Sequence, residues 1–132
     1  MTSKVTYKGY LRTECEHVQS GKVLITDAPV DNNGKGEAFS PTDTVATAMA
    51  SCMITIMGIK ANEMNLDIKG TYAEVTKHMA ANPRRISGID VLVTVKGQLT
   101  DRDKTVLENS AKTCPVIQSL HPDIIKNISF NY

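Results

Sequence analysis

Two cysteines hold positions that thiol redox chemistry could use: Cys52 within a long apolar run, and Cys114 directly before Pro115. The thiolate, not the thiol, is the nucleophile, so the question for each sulfur is what would ionise it. Pro115 suits the first position of a helix, which puts Cys114 at or next to the cap. There, unpaired amide donors and the positive end of the dipole favour a thiolate. Cys52 has no such help from its own backbone, and a mid-helix thiol among Met and Ile stays protonated unless a cation reaches it from elsewhere in the fold or from a second subunit. Each sulfur also has a plainer reading as a small buried hydrophobe, the usual state of a free cysteine. Cys15 and His17 would share one face of a strand, but two ligands fall short of a zinc site and no C-x-x-C pair accompanies them. Gly34 and Gly36 do not form a phosphate loop, because the Gly-Lys of NNGKGE is not followed by Ser or Thr.

The elements that must position these residues follow from spacing. Ser40 can cap a helix, Pro41 fits its first position, and Asp43 lies three residues after the cap. From Val45 to Ala61 apolar or small residues run nearly all the way round, which predicts a central helix buried on most faces. Thr47, Ser51, Thr55 and Gly58 interrupt that run, so it is not read as a membrane span. Met49, Met53 and Met57 form one stripe, suited to core packing or to lining an apolar channel.

Ahead of this helix, Val5 and Tyr7 alternate with polar residues, Gly9 marks a turn, and Leu11 to Val18 alternates again, predicting a hairpin. Lys22 to Thr26 gives a third strand. Asp27 to Glu37 is rich in Asp, Asn, Gly and Pro and is expected to be an exposed loop. After the helix, Leu66 to Met79 and Ile86 to Leu99 read as a second hairpin, with Gly70 a bulge and with Ile89, Val91, Val93 and Val95 on one face. Thr100 or Asp101 then caps a helix carrying Val106, Leu107 and Ala111. A short helix follows Cys114, and Ile124 to Phe130 closes the chain as a strand. The order β-β-β-α-β-β-α-α-β is α+β.

At 132 residues the chain fits a single domain spanning 1–132. Its net charge of +1, with the two signs interspersed, gives no electrostatic footprint for nucleic acid or anionic lipid, so neither nucleic acid nor membrane is expected as a partner. The first residues lack an apolar signal core, and three cysteines make an odd number, so a cytoplasmic protein without a disulfide scaffold is expected.

The FSPTDxxAxAxASCM run around Cys52, followed some sixty residues later by Cys114-Pro115-Val116, resembles the osmotically inducible protein C and organic hydroperoxide resistance (OsmC/Ohr) family over the whole chain. That resemblance implies an intertwined α+β homodimer with two active sites at its interface. It also implies a cofactor-free thiol peroxidase acting on organic hydroperoxides. Cys52 matches the family's peroxidatic cysteine and Cys114 its resolving cysteine. The two would pass through a Cys52 sulfenate to a Cys52–Cys114 disulfide, which a dithiol reductant would reset. The family also uses an arginine of the first hairpin to stabilise the thiolate. Arg12 is the candidate here, ahead of Arg84 and Arg85, which a solvated turn explains; Arg12 itself could be one charge among others on a strand face shared with Glu14 and Glu16. One departure stands out: where the family's peroxidases carry a glutamate that pairs with this arginine, this sequence has Thr42. The alternative is a non-catalytic dimer of the same fold that binds a small apolar ligand in its interface cavity. A redox sensor is a third, with no partner motif behind it.

Overall fold

The computed structural model describes all 132 residues as two compact units, Met1–Val45 and Ala46–Tyr132, divided inside the long helix α1 (Pro41–Glu63). In the first unit, β1 (Ser3–Gly9), β2 (Arg12–His17) and β3 (Val23–Asp27) form an antiparallel sheet in the order β1-β2-β3. In the second, β4 (Tyr72–Ala80), β5 (Arg85–Thr94) and β6 (Ile125–Asn131) form the sheet β4-β5-β6, antiparallel between β4 and β5 and parallel between β5 and β6. The helices α2 (Asp101–Ala111) and α3 (Pro115–Ser119) lie on the crossover from β5 to β6. The element order is the α+β one that the sequence predicts.

Both long helices start as their caps dictate. Ser40 Oγ accepts from the Asp43 amide at 3.0 Å while Asp43 Oδ2 accepts from the Ser40 amide at 2.9 Å, and Thr100 with Asp103 repeats this reciprocal box at α2. Rotation about the α1 axis is set by a different and larger effect. Met49, Met53 and Met57 are fully buried and share one core with Ile89, Val91 and Val93 of β5, Val95, and Leu107 and Ala111 of α2. Burying each such side chain is worth about 1.5–3 kcal/mol against about 1 kcal/mol for a cap, so the methionine stripe decides which face of α1 turns inward. The expectation of burial on most faces does not hold. Only the stripe from Ala46 through Met53 to Ala61 is buried, while Val45 and Ile59 are exposed, because apolar composition alone does not distinguish a face used within one chain from a face left over. By length and hydropathy α1 could cross a membrane, yet its most apolar stripe is spent on this core.

Further corrections concern boundaries. Leu11 is not in β2 but in the turn; the strand expected from Leu66 begins at Tyr72; and Gly70, at a φ of 90°, belongs to the turn before that strand rather than to a bulge. The first hairpin turns on Tyr10 and Leu11, both left-handed, with φ of 53° and 62° after Gly9 at 86°. A two-residue turn of this hand favours Asn-Gly, and Leu or Tyr there stores strain of about 1–3 kcal/mol per residue. The loop from Ala28 to Glu37 is not simply exposed. It carries a 3-10 turn at Val30–Asn32 and folds so tightly that a Cβ on Gly34 would stand 1.7 Å from the Ala28 carbonyl oxygen. Asp27, expected at the start of that loop, is the last residue of β3 and only 1% exposed.

Replacing Tyr10-Leu11 by Asn-Gly should relieve the turn and raise the unfolding free energy by about 1 kcal/mol. Urea melts of the double variant against the parent check this, and an unchanged or lower midpoint would show that the turn carries no strain.

Candidate functional site

The second unit brings two of the sequence-selected residues together. Cys52 sits one residue before Met53 on α1 and is half-buried, at the edge of the stripe; Cys114 caps α3 and is fully buried. Cys52 packs against the core in which Cys114 is buried, close enough to influence the Cys114 thiol. Cys114 Sγ accepts from the Ile117 amide at 3.4 Å, as a side chain at a helix cap should, and its neighbours in the core include Leu107 and Ala111.

The expectation that this cap would lower the Cys114 pKa is reversed. Burial comes first and pushes it up, the Ile117 amide pulls against that, and the adjacent Cys52 adds to the rise. Five residues of helix make a weak dipole, and a fully buried thiol loses more by desolvation than one amide donor returns. Cys114 is therefore held as a protonated thiol. The accessible sulfur of the pair is Cys52.

Arg12 lies in the first unit, one strand from Asp27. The register of β2 on β3 sets the two residues directly opposite. Arg12 Nε donates to Asp27 Oδ1 at 2.7 Å and Nη2 to Asp27 Oδ2 at 2.8 Å, a two-pronged pair, and Nη2 also reaches Glu37 Oε2 at 3.2 Å. The guanidinium holds the Asp27 carboxyl below its ordinary range, against the opposing cost of burial, and the two carboxylates in turn raise the Arg12 pKa. Arg12 is thus not one loose charge on a solvated face. Arg85 Nη1 donates to the carbonyls of Ala81 and Pro83 and is used up by its own turn.

Thr42 Oγ1 and Ser40 Oγ share a hydrogen bond of 3.1 Å. Cys15 Sγ lies 3.8 Å from Thr13 Oγ1, and His17 Nδ1 lies 2.6 Å from Ser20 Oγ, so the two residues that share a strand face have separate partners. Asp27 and Glu37 are the residues that sequence reasoning missed. The signal lay in the pairing of β2 with β3, which places position 27 across from position 12, but a composition rich in turn formers concealed the strand's last residue.

The model of the OsmC-like protein family matches residues 34–128. No curated protein matches the chain. Among solved structures, a protein from Psychrobacter arcticus 273-4, named for a proposed role in osmotic stress and detoxification responses, is 56% identical over 99% of this chain and 96% of its own, with a TM-score of 0.96. An organic hydroperoxide resistance protein OsmC from Legionella pneumophila is 18% identical over 100% of this chain and 98% of its own (TM-score 0.78). An organic hydroperoxide resistance protein from Elizabethkingia anophelis, with thiocyanate bound, is 12% identical over 99% and 96% (TM-score 0.76). The last two establish likeness of fold.

The lowered Asp27 pKa carries a sign. A carboxyl whose folded pKa lies below its unfolded value of about 4 stabilises the fold fully above that value, and the contribution is lost as pH falls through the lowered one. Urea midpoints of the parent should therefore fall between pH 6 and pH 3 by more than those of Asp27→Asn; equal losses would contradict the pairing.

Proposed function

The chain belongs to the OsmC-like protein family, and from that premise we propose that it is a thiol-dependent peroxidase for organic hydroperoxides. The observation that carries the reading is that Cys52, partly exposed, packs against the core in which Cys114 is buried, near enough to influence its thiol. In the first step the Cys52 thiolate attacks the outer oxygen of ROOH. An S–O bond forms, the O–O bond breaks, and the alkoxide leaves as ROH after taking a proton. The sulfur is oxidised to a sulfenic acid and the peroxide is reduced. In the second step Cys114 sulfur displaces the hydroxyl group of that sulfenic acid; the S–S bond forms, and the proton of Cys114 leaves with the hydroxyl as water. A dithiol reductant then returns two electrons by thiol exchange. Arg12 supplies the guanidinium that stabilises the Cys52 thiolate, with no cofactor and no metal, in a cytoplasmic setting where such a reductant is at hand.

A homodimer is part of the same proposal. On one face of the first sheet Val5, Cys15 and Leu24 stand in a row across the three strands, with Tyr7 beside them; Val5 is 61% and Tyr7 65% exposed. On α1 Val45 and Ile59 are exposed as well. An apolar surface of this extent in a water-facing sheet calls for a cover, and a second copy is the cover the family resemblance supplies. One observation favours the binding alternative: an open groove of about 790 Å³ in the first unit, lined by Val23, Leu24, Ile25, Ala38 and Phe39, has the apolar walls a small ligand requires.

Adding tert-butyl hydroperoxide to the reduced protein should consume two thiols per chain and link Cys52 to Cys114, as peptide mapping would show. Cys52→Ser should abolish consumption, and Cys114→Ser should leave a sulfenate that dimedone traps. Thiols that stay free on the folded chain while an apolar dye binds the groove would favour the alternative. Sedimentation should give a dimer at micromolar concentration; a monomer removes the shared interface.

A further inference from the structure

Cys114 is out of reach of solution in the closed fold. Its sulfur is fully buried, and its backbone amide donates to the Ala111 carbonyl at 3.3 Å, so the residue moves with the end of α2. A thiol so placed meets no reagent until something over it opens. Local opening draws on elements with few buried apolar side chains, and α2 is one: of its eleven residues only Leu107 and Ala111 are buried, both in the core that holds Cys114. The five residues of α3 have none. Together α2 and α3 make a lightly rooted segment between β5 and β6, whereas α1 carries six buried residues and stays put.

What holds α2 at the end of β6 is not apolar burial. Lys104, Glu108 and Lys112 recur every four residues and so share one stripe of the helix. Lys104 Nζ stands 4.7 Å from the centre of the Tyr132 ring and Lys112 Nζ 5.8 Å from that of Phe130, within the reach of about 6 Å for a cation–π contact. Partial burial, and after it the Glu108 carboxylate, push the Tyr132 phenol up to about 12. Tyr132 hangs from a fixed point, because Asn131 pairs with Thr94 and its carbonyl accepts from the Val95 amide at 2.8 Å. Strand alternation sets Tyr132 on the same side as Ile128 and Phe130, which pack against the core. Contacts carried by half-exposed lysine stems are weak singly, so they open and close without disturbing a core.

We propose that α2, with the turn into α3, is a lid over Cys114, and that Tyr132 is the latch on which Lys104 closes. The lid decides when the Cys114 sulfur meets a thiol or an electrophile from solution, whether or not the chain reduces peroxides. In a Cys15→Ser/Cys52→Ser background Cys114 is the sole thiol, and its rate of alkylation by iodoacetamide at fixed pH reports the opening. Tyr132→Ala should speed alkylation about tenfold and Lys104→Met about threefold, while Tyr132→Phe, which keeps the ring under the ammonium, should stay within about twofold of the parent. Tyr72 supplies the control. It is as exposed as Tyr132, at 48% against 47%, and has its own lysine, Lys96, at 5.8 Å from its ring centre, but it shares a row with Thr94 and Asn131 and so lies on the opposite face of the sheet. Tyr72→Ala should leave the rate unchanged.

A local opening exposes little surface, so the parent's rate should stay flat in urea below the unfolding transition. A folded Tyr132→Ala chain that alkylates at the parental rate overturns the proposal. So does an equal acceleration in Tyr72→Ala, or a parental rate that climbs with urea as steeply as global unfolding. Where Tyr132→Ala does not fold, Lys104→Met, on a side chain 33% exposed, decides: an unchanged rate in that variant removes the latch.

Discussion

The seating of α1 by its methionine stripe is the constraint on which the second unit depends. With Met49, Met53 and Met57 closed against the valine face of β5, every other residue of the helix has its direction assigned. Cys52, one position before Met53, falls at the border between core and surface. Cys114, at the start of α3, is buried in the same core. A quarter-turn of α1 would expose the methionines and carry Cys52 away from Cys114, so the packing energy fixes the position of both.

The first unit works differently. It has few buried side chains, and those it has are polar: Thr26, Asp27 and Ser40. Its order comes from strand pairing, from the loop folded over Ala28 and from the Arg12–Asp27 fork. One unit is thus built on apolar volume and the other on directional bonds. The first unit leaves an apolar face open, with Val5 and Tyr7 exposed on it.

Much of this was legible in the sequence where the signal is local. Ser40-Pro41 with Asp43, Thr100 with Asp103, and Cys114-Pro115 each declared a helix start, because a cap is decided within four residues. The alternation from Ile89 to Val95 declared a strand with one face covered, and all four of its apolar residues are buried. What escaped was non-local. The burial of Asp27 depends on the register between two strands, the turn at Leu11 on where that register begins, and the fate of the Cys114 proton on how much core closes over it. The helix-terminus argument for Cys114 was sound in kind and too small in size, since desolvation outweighed it. Nothing in one dimension pointed to Asp27 as the partner of Arg12.

The stripe that seats α1 is itself made of oxidisable sulfur. A reagent that meets Cys52 at the helix border stands one residue from Met53, whose thioether is shut away only as long as the core stays closed. Conversion to the sulfoxide would place a polar oxygen where apolar contact holds the helix, loosening the packing that shields its neighbours. The tightness of the core is therefore also its chemical armour: helix breathing under an oxidant would register as sulfoxide at positions 49, 53 and 57 before any global unfolding.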